Sequence, residues 1–488
     1  MNKQNVLKYL LIVLLGALLF IPFLGHVPLF DWDEANFAEA AREMVVKGSY
    51  MRVYIDFQPF WEKPPIFIWM QAFSMHLFGI NEFAARFPNA IMGILTLCSL
   101  FYIGKKTSSE RVAWWWVLMY IGSWLPHFYF KTAIIDPTFN FFIFWAIYFV
   151  SRIQYVDNKL WHSIFAGAAL GIAVLTKGPV AILIAILTFG VYLIYHKGYL
   201  GFSWKYVIAV FIACFLTTFS WFGPDIIQNG WWFTNEFITY QIRLLTTEDA
   251  GHGQPFFYHF VVLLFGCFPA AAFLFQYRKK PQEQTLNRAE RDFVQWNWIL
   301  FWVVLLLFSL VKTKIVHYSS LCYLPLTYIA AVHITRIQYY GLPIKKLVQW
   351  VFGITGGIIA LVITLLPLIG NNLDKITPYI KDDFAVANMQ AEVVWPIWWF
   401  VFGLILLIVI IYVSIMLHKN VEQSLYKLIA VQTIVIGITM VLFVPKVERY
   451  SQGAAIDYYK QFENENVYLQ PLSFKSYAYL FYSKPNNS

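Results

Sequence analysis

The chain has 488 residues, of which 59% are hydrophobic and only 13% charged. An ordinary soluble protein carries roughly a quarter charged residues, so a soluble core is excluded as the home of most of this sequence. The formal charge of +9 is spread over short basic gaps between apolar runs, which sets membrane topology and needs no nucleic-acid partner to explain it. Cys98, Cys214, Cys267 and Cys322 lie far apart in apolar stretches, without CxxC spacing, and read as packing residues.

A membrane crossing takes about 20 apolar residues over ~30 Å of hydrocarbon. Thirteen spans are predicted, at 7–27, 86–104, 112–130, 137–152, 161–176, 179–196, 206–222, 257–277, 294–311, 317–335, 347–369, 395–417 and 424–443. The fold class is therefore an all-α polytopic membrane protein. The first span follows Lys3 and Lys8 and lacks a small-x-small cleavage site, so it is expected to be an uncleaved anchor. With the N-terminus in the cytoplasm, the even-numbered gaps are cytoplasmic. They carry a basic excess that includes Lys105, Lys106, Arg278, Lys279, Lys280, Lys345 and Lys346, as the positive-inside rule requires. The long segments, 28–85, 223–256, 370–394 and 444–488, then all fall on the outer side. Residues 1–443 form the membrane domain and 444–488 a small outer segment that is expected to pack on the outer loops. Long loops this rich in aromatic residues point to function rather than disorder.

Taken in chain order, the outer segments hold most of the ionisable residues at span edges, where charge is costly and usually functional. Asp31-Trp32-Asp33-Glu34 opens the first loop; an Asp before a helix can serve as an N-cap, but three acids in four residues exceed what a cap needs. From Glu34 to Lys47, Phe37, Ala38, Ala41, Met44 and Val45 follow helical spacing with Glu39, Arg42 and Glu43 elsewhere. That pattern predicts an amphipathic helix along the interface, ended by Gly48. Trp61-Glu62-Lys63-Pro64-Pro65 precedes an apolar run, Ile66 to Phe78, too short to span and read as re-entrant or interfacial. Lys63 beside Glu62 at a helix N-terminus suits a phosphate, although a lysine there can also simply snorkel.

Asp136 precedes Pro137 at the outer start of a span, where capping is the plain alternative. Thr176-Lys177-Gly178-Pro179 is a tight hairpin that puts Lys177 at the same interface. Arg243 and the hairpin Lys312-Thr313-Lys314 to His317-Tyr318 add further cations. Singly, such lysines anchor helix ends; together, acids from two loops and cations from four others converge on one interface. No P-loop, GxSxG or HExxH occurs. An enzyme on the outer face has no ATP, so its activated donor must come from the membrane, and a lipid-linked phosphate ester meets that need.

The order Asp33-Glu34, Ala40-Ala41-Arg42-Glu43-Met44, Glu62-Lys63-Pro64, Asp136-Pro137 and Thr176-Lys177-Gly178 resembles the bacterial aminoarabinose transferases that modify lipid A. These belong with the protein O-mannosyltransferases in the GT-C membrane glycosyltransferase fold. Arg243, His252 to Tyr258, and Phe308-Ser309 through Lys312 to Tyr318 continue the likeness, which covers about residues 5–330. The resemblance implies an inner-membrane enzyme that takes a sugar from a polyprenyl-phosphate carrier and transfers it on the periplasmic face to lipid A or a related envelope acceptor. It implies Asp33 as the principal catalytic or positioning carboxylate, with Asp136 and Glu34 as further acids. Lys63, Arg243 and Lys177 would bind the donor phosphate, and Glu62, Lys312 and Tyr318 would bind substrate. Two positions depart from the pattern: Asn36 stands where the family has Arg, and Ile238-Thr239-Tyr240 replaces its His-rich approach to the loop arginine. A divalent metal stays open as a cofactor, but the sequence supports no particular site for one, and no other cofactor is indicated. A protein O-glycosyltransferase with the same donor class, an oligosaccharide ligase on the same fold, and a lipid or sugar transporter stand as alternatives. A transporter would place its charges near mid-membrane.

Overall fold

The computed structural model describes residues 3–246, 253–276, 287–463, 465, 467, 469–472 and 476–484. Arg278, Lys279, Lys280 and His252 lie outside the described residues. The chain opens with α1 (Lys3–Phe20), followed by α2 (Asp33–Lys47), the hairpin β1 (Tyr54–Ile55) and β2 (Gln58–Pro59), and α3 (Ile66–Phe78). Next come α4 (Glu82–Thr107), α5 (Glu110–Ile121), α6 (Trp124–Tyr129), α7 (Asp136–Arg152), α8 (Lys159–Lys177), α9 (Val180–Tyr195), α10 (Trp204–Asn229) and α11 (Trp232–Thr246). The remainder comprises α12 (Tyr258–Gly266), α13 (Ala270–Phe273), α14 (Arg288–Leu310), α15 (Tyr323–Tyr340), α16 (Lys346–Gly370), α17 (Asp383–Met389), α18 (Phe400–Met416), a continuous helix α19 (Val421–Lys460) and α20 (Ala478–Ser483).

Among the described residues, eight helices are long and apolar enough to cross a membrane, or nine if the pair Tyr258–Gly266 and Ala270–Gln276, bent by 109°, counts as one. The protein is a multi-pass membrane protein. Length and composition do not establish thirteen spans, and the shortfall falls on four predicted ones. Residues 112–130 break between α5 and α6. Helices α7 and α9 have 17 and 16 residues, about 24–26 Å at 1.5 Å per residue. Residues 317–335 begin in a 3-10 helix, Val316–Cys322, before α15 takes over.

Close packing in the bundle follows from small residues. Gly167 and Gly171 are four apart on α8 and face α10; a Cβ on Gly167 would lie 2.3 Å from the Val210 carbonyl oxygen. Without a hydrophobic drive between helices in lipid, such small-residue contacts are how two backbones approach. Because α7, α8 and α9 follow one another through short connections, the start of α7, the end of α8 and the start of α9 share one end of the bundle.

Two expectations for the juxtamembrane segments need correction. Helix α2 does not leave its polar side open: every residue from Glu34 to Met44 is buried. Hairpin β1–β2 and α20 cover it, and its polar side chains pair internally. The boundary drawn at residue 443 also runs through α19, which continues across it with π-helical turns at Thr439–Phe443 and Arg449–Gly453. From there the chain returns to the first loop as expected. Gln452 donates to the Leu29 carbonyl (2.6 Å) and accepts from the Asp31 amide (3.0 Å), and Tyr482 accepts from the Leu29 amide (2.7 Å).

Candidate active site

The first acidic helix starts at Asp33 itself. Its N-cap position is Trp32, which makes no side-chain capping bond, so the Asp33 carboxylate is not spent as a cap. Helix α7 likewise starts at Asp136, with Ile135 in the cap position and no side-chain cap. Both carboxylates are turned instead to one short 3-10 helix. His317 Nε2 lies 3.3 Å from Asp33 Oδ2 and 3.8 Å from Asp136 Oδ2. Lys177, at the end of α8, donates to Asp136 Oδ1 at 2.6 Å, and its ammonium sits 4.8 Å from the centre of the Tyr318 ring. The result is a chain of alternating acidic and basic side chains, Asp33–His317–Asp136–Lys177, assembled from four separate segments.

Burial works to raise the Asp33 carboxyl, but the hydrogen bond and charge of His317, with the charges of Lys63 and Lys177, hold it below the usual carboxylate range. It is therefore an anion at neutral pH, and 31% of its side chain remains exposed. Lys63 approaches from the loop before α3. Desolvation lowers its ammonium below the ordinary lysine value against the opposing pull of Glu62 and Asp33. The Lys63 ammonium stands 5.0 Å from the centre of the Tyr240 ring, and the Arg243 guanidinium 5.2 Å from the same ring. One aromatic face on α11 thus gathers two of the three cations assigned to the donor phosphate.

The remaining assignments divide. Glu34, one residue after Asp33, is 3% exposed and points the other way. It forms a two-point ion pair with Arg86 of α4 (3.0 and 2.6 Å) and accepts from the amides of Phe30 (2.8 Å) and Ala133. Arg86 also donates to the carbonyls of Leu24, Val27 and Pro28. Glu34 is therefore a structural clamp on the segments leading to Asp33 and Asp136, not a catalytic acid. Lys177 is committed to Asp136 and contributes positive charge rather than an uncommitted ammonium. Lys312 is exposed, whereas the buried lysine of its hairpin is Lys314, 7% exposed and donating to the Val311 carbonyl at 2.7 Å. Glu62 is half-buried and acts on Lys63 through its charge, and Tyr318 lies over Lys177.

Three participants carried no assigned role in the sequence reading. His317 was present only as one more cation of a hairpin, and Tyr240 only as a departure from a family pattern. Arg86 looked like an unremarked residue at the edge of a span. The signal for His317 was its place beside Tyr318 in an outer hairpin; none marked Arg86. Among the described residues, no group of three or more His, Cys, Asp or Glu side chains is arranged to hold a metal ion.

The fold resembles the GT-C membrane fold. A family model described as dolichyl-phosphate-mannose-protein mannosyltransferase matches residues 62–221. The chain superposes on ArnT from Cupriavidus metallidurans bound to undecaprenyl phosphate with a TM-score of 0.78 at 20% identity, covering 99% of this chain and 85% of that one. The apo form of the same protein gives 0.75 at 19% identity, with the same coverage. Two curated relatives are named undecaprenyl phosphate-alpha-4-amino-4-deoxy-L-arabinose arabinosyl transferase. That of Wigglesworthia glossinidia brevipalpis is 24% identical over 72% of this chain and 64% of its own length. That of Enterobacter sp. (strain 638) is 26% identical over 73% and 65%. The matched region spans just under two thirds of these relatives' length. The resemblance to aminoarabinose transferases and protein O-mannosyltransferases is borne out.

Proposed function

We propose that the protein transfers a sugar, an amino sugar such as aminoarabinose, from a polyprenyl-phosphate donor to lipid A or a related envelope acceptor. The reaction would take place on the periplasmic face of the bacterial inner membrane, with the N-terminus cytoplasmic. The observation that carries this reading is the convergence of Asp33, His317, Asp136 and Lys177 at one end of the bundle, beside Lys63 and Arg243 on Tyr240. Transfer breaks the bond between the anomeric carbon and a phosphate oxygen and forms one to an acceptor oxygen. Negative charge grows on the departing polyprenyl phosphate, and fixed cations at Lys63 and Arg243 stabilise that state more than the ground state. Asp33, anionic and part exposed, faces the acceptor or the developing positive charge at the anomeric carbon. An acceptor phosphate is already anionic and needs no base.

The likeness of residues 62–221 to a protein mannosyltransferase model favours a second reading, transfer to a Ser or Thr hydroxyl. There Asp33 would act as general base, because a hydroxyl is a weak nucleophile at neutral pH. A transporter is disfavoured, since the charged cluster sits at helix ends rather than midway along them. Mass spectrometry of lipid A and of secreted proteins, from cells with and without the gene, separates these readings. Gene-dependent sugar on lipid A phosphate is expected. Sugar on Ser or Thr would overturn the lipid acceptor, and no gene-dependent glycan on either would overturn the transferase.

A further inference from the structure

The end of the bundle opposite the site carries a second polar cluster. Helix α7 has its site residue, Asp136, at its start, and Gln154 and Tyr155 of the 3-10 turn that follows its other end line a cavity of about 170 Å³. Arg288, Arg291, His196, Gln295 and Asp292 line it, with Tyr192 as one wall. The Asp292 carboxylate is 7% exposed and accepts from Tyr192 (2.8 Å) and Gln154 (2.9 Å), which holds the inner wall in place. The amide nitrogen of Gln295 is a buried donor with no protein partner. Arg288 is exposed, and the Arg152 guanidinium stands nearby, 5.0 Å from the Tyr155 ring.

An apolar groove adjoins this cavity. Ala185, Leu170, Ile186, Phe189, Phe211 and Trp296 help to line it, and Ile186 and Phe211 are about half exposed, so it opens sideways. The two sites share a wall: Tyr192 stacks on Trp296 at 4.1 Å and on His196 at 4.2 Å between ring centres. A polar cavity with two arginines, set one stacked pair of rings away from a laterally open apolar groove, has the two-part chemistry of a lipid. A soluble anion would use the first part only.

We propose that this end of the bundle binds a phospholipid with an anionic headgroup, its phosphate against Arg288 and Arg291 and an acyl chain in the groove beside Trp296. Guanidinium groups suit phosphate because their planar donors match its oxygens. Native mass spectrometry of the full-length protein, titrated with dioleoyl phosphatidylglycerol or dioleoyl phosphatidylcholine, tests the assignment. Wild type should retain phosphatidylglycerol about tenfold more strongly than phosphatidylcholine, which has the same phosphate but a choline cation that the two arginines repel. Arg288→Gln with Arg291→Gln should abolish that preference, and Arg288→Lys with Arg291→Lys should restore part of it in equally well-folded protein. Ala185→Trp, which fills the groove, should weaken both lipids. An unchanged preference in the Gln pair would overturn the site. Displacement of phosphatidylglycerol by inorganic phosphate, with no effect of Ala185→Trp, would overturn the lipid in favour of a soluble anion.

Discussion

Helix α2 carries two sets of charges with opposite fates. At its start, Asp33 keeps 31% of its side chain exposed and shares His317 with Asp136. Two turns on, Glu39, Arg42 and Glu43 are at most 2% exposed, and Arg42 grips Glu39 with two bonds of 2.7 Å while Glu43 accepts from the Phe57 amide at 2.8 Å. Glu34, one residue and about 100° round the helix from Asp33, belongs to the sealed kind through Arg86. Acidity alone does not separate the two sets. The sealed carboxylates have dedicated partners, which fix the backbone around them. The open one shares its partner and keeps an exposed face. The sealed set supports the open one, because Arg86 and Glu34 together hold the residues just before both Asp33 and Asp136.

The comparison breaks most visibly at Glu34. Glu34→Ala leaves Arg86 as a buried, uncompensated charge, and losing one partner of such a pair costs about 3–5 kcal/mol. The expected outcome is a marked fall in the thermal midpoint of the purified protein and in its abundance; normal stability would show that the clamp is not structural. Lys63→Ala should preserve stability and lower transfer about 10²-fold, the scale of one lost electrostatic donor. Lys312→Ala, an exposed control, should stay within about twofold, since surface positions away from such features are near neutral. Equal losses in the two would dissolve the distinction between them.

A smaller effect is expected at His317. Removing it in His317→Ala takes away a hydrogen bond to a charged group, worth about tenfold. It also removes an influence that lowers the Asp33 carboxyl, so the acid limb of kcat/KM should move to higher pH. An unmoved limb would mean that His317 does not act through Asp33. A pH-dependent effect is expected at Glu43. Burial, and then the Glu39 charge, push Glu43 up to about 8. A carboxyl raised in the folded protein stabilises it fully below about pH 4.5, and that contribution is lost as pH climbs towards 8. Thermal midpoints should therefore decline over that window in wild type and more shallowly in Glu43→Gln. Parallel profiles would place the titration elsewhere.

Much of this was legible in the sequence. Runs of apolar residues gave the membrane class, and Asp33, Lys63, Asp136 and Lys177 were found because a charge at a span edge demands a reason. Periodicity could not reveal that α2 is covered on its polar side, because the cover comes from residues 54–59 and from α20, more than 400 positions away in the chain. Nor could it tell Asp33 from Glu34, adjacent acids whose difference is a rotation about one helix axis and the presence of Arg86. The span count suffered where short helices and 3-10 turns interrupt apolar runs whose composition alone looks continuous.

If the open carboxylate does chemistry and the sealed ones do not, Asp33→Asn should show it. The substitution keeps shape and removes charge. Purified wild-type and variant proteins, reconstituted with a polyprenyl-phosphate sugar and lipid A, should show the same thermal midpoint but a loss of transfer of about 10³-fold or more, near the middle of the range for a positioned acid or base. Full transfer by Asp33→Asn, at equal abundance, would contradict the account and leave that carboxylate a helix-terminal charge with no part in the reaction.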